Sequence, residues 1–106
     1  MGTPARPAWS LRDYALFRAA CPEARYRDGK KAVDLASKAV EVAGKDANWE
    51  FRAALAAAYA EAGDFQKAVA EQEKALADRS LNKEDRAGME KRLALYREKK
   101  PYRAAD

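Results

Sequence analysis

Residues 49–76 read W-E-F-R-A-A-L-A-A-A-Y-A-E-A-G-D-F-Q-K-A-V-A-E-Q-E-K-A-L, and the spacing of their apolar side chains decides the fold class. Phe51, Leu55, Ala58, Tyr59 and Ala62 fall at i, i+4, i+7, i+8 and i+11, which gathers them on one stripe of an α-helix. Phe65, Ala68, Val69, Gln72, Ala75 and Leu76 repeat the pattern in a second helix. Between them Gly63 can adopt the left-handed conformation that ends a helix, and Asp64 can accept hydrogen bonds from the free amides that begin the next. The result is a helical hairpin. Its alanines let the two backbones approach, and Tyr59, Phe65 and Leu76 are expected to fill the remaining space.

A diverged copy of this hairpin precedes it. R-D-G-K-K-A-V at 27–33, followed by K-A-V at 38–40, matches G-D-F-Q-K-A-V at 63–69, followed by K-A-L at 74–76, at an offset of 36 residues, with Gly29 in place of Phe65. Ser10 and Asp13 have the spacing of a capping box, so a helix is expected from about Leu11 to Ala20, with Tyr14, Ala15, Leu16, Phe17 and Ala19 as its apolar surface. It should stop before Cys21-Pro22, because proline disfavours a helical residue ahead of it. The segment from Cys21 to Asp28 is longer than a repeat turn and reads as a loop. Asp28 then caps a helix through about Ala43, with Ala32, Val33, Ala36, Ala39, Val40 and Ala43 inward and Gly44 as the stop.

Downstream, Asn82 with Asp85 opens a fifth helix to about Lys99. Met89, Leu93 and Tyr96 form its apolar stripe; Arg86, Glu90, Lys91, Arg92 and Arg97 form its wet face. A stack of hairpins needs its last apolar face covered, which makes this a capping helix. Pro101 ends it, and Tyr102 can fold back onto the preceding helices. The reading is therefore all-α: a flexible arm at 1–8, with two prolines, and one helical domain at 9–106. That domain comprises hairpin 1 at about 10–44, hairpin 2 at about 47–78 and a capping helix at about 82–99.

Leu55, Ala56, Tyr59, Gly63, Asp64, Phe65, Ala68, Ala75 and Leu76 resemble the tetratricopeptide repeat (TPR), a helical pair of about 34 residues with small and large residues at fixed positions. The stretch A-C-P-E-A-R-Y-R-D-G-K-K-A-V and the ending L-Y-R-E-K-K-P-Y-R look similar to a bacterial form of the module. Arg52 stands where the family's usual tryptophan would be, and Arg79 to Asn82 fill the junction where a proline is customary. The resemblance implies a right-handed α-solenoid and an interaction module. In that family the first helix of each hairpin lines a concave groove. The matching positions here are Glu50, Ala53, Ala57, Ala60 and Glu61, with Tyr14 and Arg18 in the first helix and Lys91 in the last. The polar clamp that some members use for a partner's C-terminal carboxylate is absent, because Ala53 and Ala57 occupy its positions. What remains is a small-residue floor with charges at the rim, suited to an extended or helical segment that inserts apolar side chains.

Composition narrows the function further. The chain has 106 residues, 21 basic and 17 acidic, with a net charge of +4 and no histidine. One domain of this size buries about 65% of the surface its unfolded chain exposes. The absence of histidine removes Ser-His and Cys-His activation and the commonest metal ligand, so a catalytic or metal site is not expected. No cofactor motif is present, and no glycine-rich phosphate loop. Cys21 is the single cysteine and cannot form an internal disulfide, which suits a cytoplasmic protein. No apolar run approaches the ~20 residues a membrane span requires. Arg86, Lys91, Arg92, Arg97, Lys99, Lys100 and Arg103 crowd the C-terminal region, but Glu84, Asp85, Glu90 and Glu98 interleave with them, which argues against a nucleic-acid surface. The expected partner is a protein or peptide. The alternatives are self-association into a homo-oligomer, or a spacer or regulatory module of a larger polypeptide.

Overall fold

The structure is a computed structural model that describes residues 6–104. The described residues form five α-helices: α1 (Ala8–Ala20), α2 (Gly29–Ala43), α3 (Trp49–Glu61), α4 (Phe65–Leu76) and α5 (Lys83–Arg97). Short 3-10 turns at Ala24–Tyr26 and Gly44–Asp46 lead into α2 and follow it, and there is no strand among the described residues. The arm expected at 1–8 lies largely outside the described residues, and its last member, Ala8, already belongs to α1.

Four helix starts follow from a side-chain oxygen in the cap position. Asp28 accepts from the Lys31 amide at 3.1 Å, Asn48 from Glu50 at 3.0 Å, Asp64 from Lys67 at 3.2 Å and Asn82 from Asp85 at 2.8 Å. The start of α1 corrects the sequence reading. The helix begins after Pro7, with no side-chain cap, and the Pro7 carbonyl accepts the amides of Ser10 and Leu11 at 3.0 and 3.2 Å. Ser10 is thus already inside the first turn and no Ser10–Asp13 box forms. Pro7, with φ at −65°, is pre-set for helix entry and outcompetes the hydroxyl further along. At the other ends, Gly44 and Gly63 take φ of +57° and +87°, while α5 is closed by Lys99, a non-glycine residue at φ +60°.

The core gives the helix directions. Ala53 of α3 clusters with Ala75 of α4, whereas Ala60 clusters with Ala68, so the two helices run antiparallel. Leu11 clusters with Ala39, and Ala15 and Ala19 with Ala36 and Ala32, so α1 and α2 do the same. Met89 joins the Ala53 cluster and Tyr96 the Ala60 cluster, which sets α5 parallel to α3; Leu11 with Phe51 and Ala15 with Leu55 set α1 parallel to it as well. Alanine dominates the contacts, and Tyr96 and Gln72 are the largest side chains fully enclosed. Gln72 donates to the Met89 carbonyl at 2.9 Å and thereby ties α4 to α5. Tyr59, Phe65 and Leu76, expected to fill the hairpin, are only half-buried at the margins of these clusters. The volume between α3 and α4 is closed instead from outside the hairpin by Met89 and Tyr96 of α5. No described helix is long and apolar enough to cross a membrane.

Candidate functional site

With α1, α3 and α5 parallel, their facing sides enclose a groove, and its open part has a volume of about 160 Å³. Arg12, Asp13 and Leu16 line it from α1; Trp49, Glu50, Ala53 and Ala54 from α3; Asp85, Met89 and Arg92 from α5. The floor is apolar and small-residued, and the rim is charged in both signs. Arg12 is held in place by Asp13 at 3.1 Å, by Glu50 at 3.5 Å and by the face of Phe51, whose centroid lies 5.1 Å from the guanidinium carbon.

The N-terminal end of α3, which carries the groove's Trp49 and Glu50, is anchored from the far end of its hairpin. The Asp78 carboxylate accepts the Trp49 amide at 2.9 Å, with its other oxygen bound to the Ser80 hydroxyl at 2.7 Å and amide at 2.9 Å. These bonds, the Ser80 hydroxyl foremost, hold its pKa below the ordinary 3.8. Arg86 completes the junction by donating to the Leu76 carbonyl at 2.8 Å and the Asp78 carbonyl at 3.4 Å. This takes Arg86 out of the solvent-facing role expected of it, and the network occupies the place where the repeat pattern has proline.

The other end of the groove is filled by the chain itself. After Lys99 turns the backbone, Tyr102 packs against the clusters that contain Ala57 and Ala60, and the Arg92 guanidinium carbon lies 3.8 Å from its ring centroid. Arg103 pairs with Glu61 at 2.7 Å, and the Ala104 amide donates to the Ala20 carbonyl at the end of α1 at 2.9 Å. Glu61 also lies 3.5 Å from Arg27, so two arginines share one carboxylate.

The expected site residues divide accordingly. Glu50 and Ala53 line the open groove. Ala57, Ala60 and Glu61 belong to the covered end, and the picture of Ala57 and Ala60 as an open floor is corrected, since both are 2% exposed and lie in clusters against which Tyr102 packs; Ala53, 3% exposed, borders the cavity only by its edge. Tyr14 lies outside the groove lining and stacks on Phe17 with centroids 6.5 Å apart. Arg18 faces the α1–α2 turn, 3.8 Å from Asp28, and Lys91 is exposed on α5 outside the lining. Arg12, Asp13, Leu16, Asp85 and Met89 are groove residues that the repeat pattern did not single out, and Arg92 is half-buried over Tyr102 and not on a wet face. Their signal in the sequence was only a three-to-four-residue spacing along α1 and α5, which charge composition alone does not distinguish from an ordinary solvated helix.

Trp49 is half-buried at the junction, whereas Trp9 is 59% exposed. Among the described residues no group of three or more Cys, Asp or Glu side chains gathers at metal-binding distance, and Cys21 is a free, half-buried thiol. Of the basic residues near the C-terminus, Arg86, Arg92 and Arg103 are each engaged within the chain. Comparison with protein-family models, with curated proteins and with solved structures gives no match.

Proposed function

We propose that the chain is a non-enzymatic protein-interaction module of the TPR type, two hairpins and a capping helix stacked as a short right-handed solenoid, that holds a segment of a partner protein in the groove between α1, α3 and α5. One observation carries the reading: a single cavity takes its lining from three parallel helices and nothing else, with alanines below and alternating charges at the rim. Small residues in the floor let a ligand backbone or an apolar side chain approach closely, and Arg12, Glu50, Asp85 and Arg92 can pair with its polar groups. No histidine is available for acid–base or nucleophilic work, which favours binding over catalysis. The lone thiol suits the cytoplasm as the place of action.

The experiment is selection of binding segments from a displayed random peptide library on the immobilised full chain. Selected segments should lose at least about tenfold in affinity when Glu50→Lys and Asp85→Lys reverse the rim, a change of about 1.4 kcal/mol. Glu41→Lys, on the exposed outer face of α2, should leave them unaffected.

Self-association is a second reading with its own observation. Trp9 and Phe17 on α1, and Tyr26 beside Phe17, are 59%, 45% and 38% exposed, with Phe17 and Tyr26 in aromatic contact at 5.7 Å. Such a face can cover a second copy. Light scattering across a concentration series separates the two: a mass that doubles with concentration, and stays monomeric in Phe17→Ser, favours the homo-oligomer.

A further inference from the structure

The tail, residues 101–104, does more than follow α5. Its four ingredients of attachment are a small-residue floor at Ala57 and Ala60, a guanidinium lid from Arg92, a carboxylate at Glu61 and the helix-end carbonyl of Ala20. All belong to α1, α3 and α5, the helices of the groove, and none belongs to the tail. The seat therefore persists when the tail leaves. Its chemistry is specific: an aromatic ring fits between alanines and a guanidinium, the next residue must be a cation that reaches Glu61, and the residue after that must offer a backbone N–H.

We propose that this seat recognises a partner segment in which an aromatic residue is followed directly by arginine, and that the chain's own Tyr102-Arg103 occupies it in cis and is displaced when that segment binds. The proposal rests on the groove reading above. The tail's hold is modest, since Tyr102, Arg103 and Ala104 are all half-buried and residues 101–104 belong to no helix, so they can open more readily than the core. A tether this short still presents the tail at an effective concentration on the order of millimolar, so a competing segment meets a reduced apparent affinity. A partner longer than the tail can recover that loss by extending past Arg92 into the open part of the groove, which residues 101–104 do not line.

The test uses the full chain carrying Tyr102→Ala and Arg103→Ala, titrated with a fluorescein-labelled peptide of the sequence K-K-P-Y-R-A (residues 99–104) and read by fluorescence anisotropy. The expected result is binding at least about tenfold tighter than to the wild-type chain, abolished when the peptide's own tyrosine is replaced by alanine and weakened by Glu61→Gln in the protein. A variant that keeps its helical circular dichroism and cooperative melting yet binds the peptide no better than wild type overturns the proposal. A variant that unfolds, and does so also with Arg103→Ala alone, overturns it too, because a tail on which the fold depends cannot be a displaceable ligand. The Glu50 and Asp85 substitutions lie outside the seat, so they test the groove reading separately from this one.

Discussion

A Cβ atom on Gly29 would lie 2.6 Å from the backbone nitrogen of Ala62 and 2.7 Å from its Cα. Backbone cannot move aside as a flexible side chain can, so the start of α2 approaches the end of α3 this closely only because residue 29 has no side chain. Where the second hairpin has Phe65 after its capping aspartate, the first must have glycine, and the substitution in the repeat has a steric cause. Gly29→Ala is expected to destabilise the chain by about 1–3 kcal/mol through overpacking, which outweighs the gain of up to about 1 kcal/mol from alanine's helix propensity. Gly88→Ala is the control. That position in α5 has open space around it, so the same change should stabilise by about 0.5–1 kcal/mol in urea unfolding.

Tyr96 is wholly enclosed, and its hydroxyl finds no hydrogen-bond partner among the described residues. Burial accordingly pushes the phenol pKa well above its ordinary value. Removing the oxygen relieves an unmet polar group, so Tyr96→Phe should leave the thermal midpoint unchanged or raise it. Tyr96→Ala should cost about 3–5 kcal/mol, whereas Tyr59→Ala, at a half-buried position, should cost about 1–2 kcal/mol. Equal losses at the two positions would contradict the assignment of Tyr96 as the central side chain.

The hydrogen bonds at Asp78 predict a pH dependence with a defined sign. Its folded pKa is depressed below 3.8, so its stabilisation is fully present above that value and is lost as pH falls through the lower folded value. Asp78→Asn keeps an oxygen for the Trp49 amide but does not titrate. Its unfolding midpoint should therefore fall less steeply than that of the wild type as the pH is lowered through and below the ordinary 3.8.

The Cys21 to Asp28 segment is more ordered than a polar loop of that composition suggests. Arg27 donates to the Cys21 and Pro22 carbonyls at 2.7 and 3.0 Å and lies 3.5 Å from Glu61, whereas the Arg25 side chain is 71% exposed. Limited trypsin digestion should cut after Arg25 before it cuts after Arg27, and before Arg52 or Lys67 in the second hairpin. Cleavage after Arg27 first would show that its three contacts do not restrain the loop.

The hairpins, three of the five helix starts and the inward stripe of α5 were legible because each rests on local signals: a capping side chain, a glycine stop, a period of three to four apolar residues. The groove was legible only in part. Of the repeat positions, Glu50 and Ala53 border the cavity, but the periodicity that picks them out could not say that Ala57 and Ala60 would be covered, since the cover is a tail some forty residues later in the chain. Arg86 and Arg92 read as solvated charges because their partners, the Leu76 carbonyl and the Tyr102 ring, come into reach only after the chain has folded. Ala57→Glu now carries a defined expectation. A carboxylate there must either displace Tyr102 or stay buried without a partner, and the variant should lose stability in both cases.

The most direct test of the groove is amide chemical-shift mapping of the isotope-labelled full chain against the strongest segment selected from the peptide library. The largest perturbations should fall on α1 around Arg12 to Leu16, on α3 around Trp49 to Ala54 and on α5 around Asp85 to Arg92. Perturbations confined to the outer faces of α2 and α4, with those three stretches unmoved, would contradict the account.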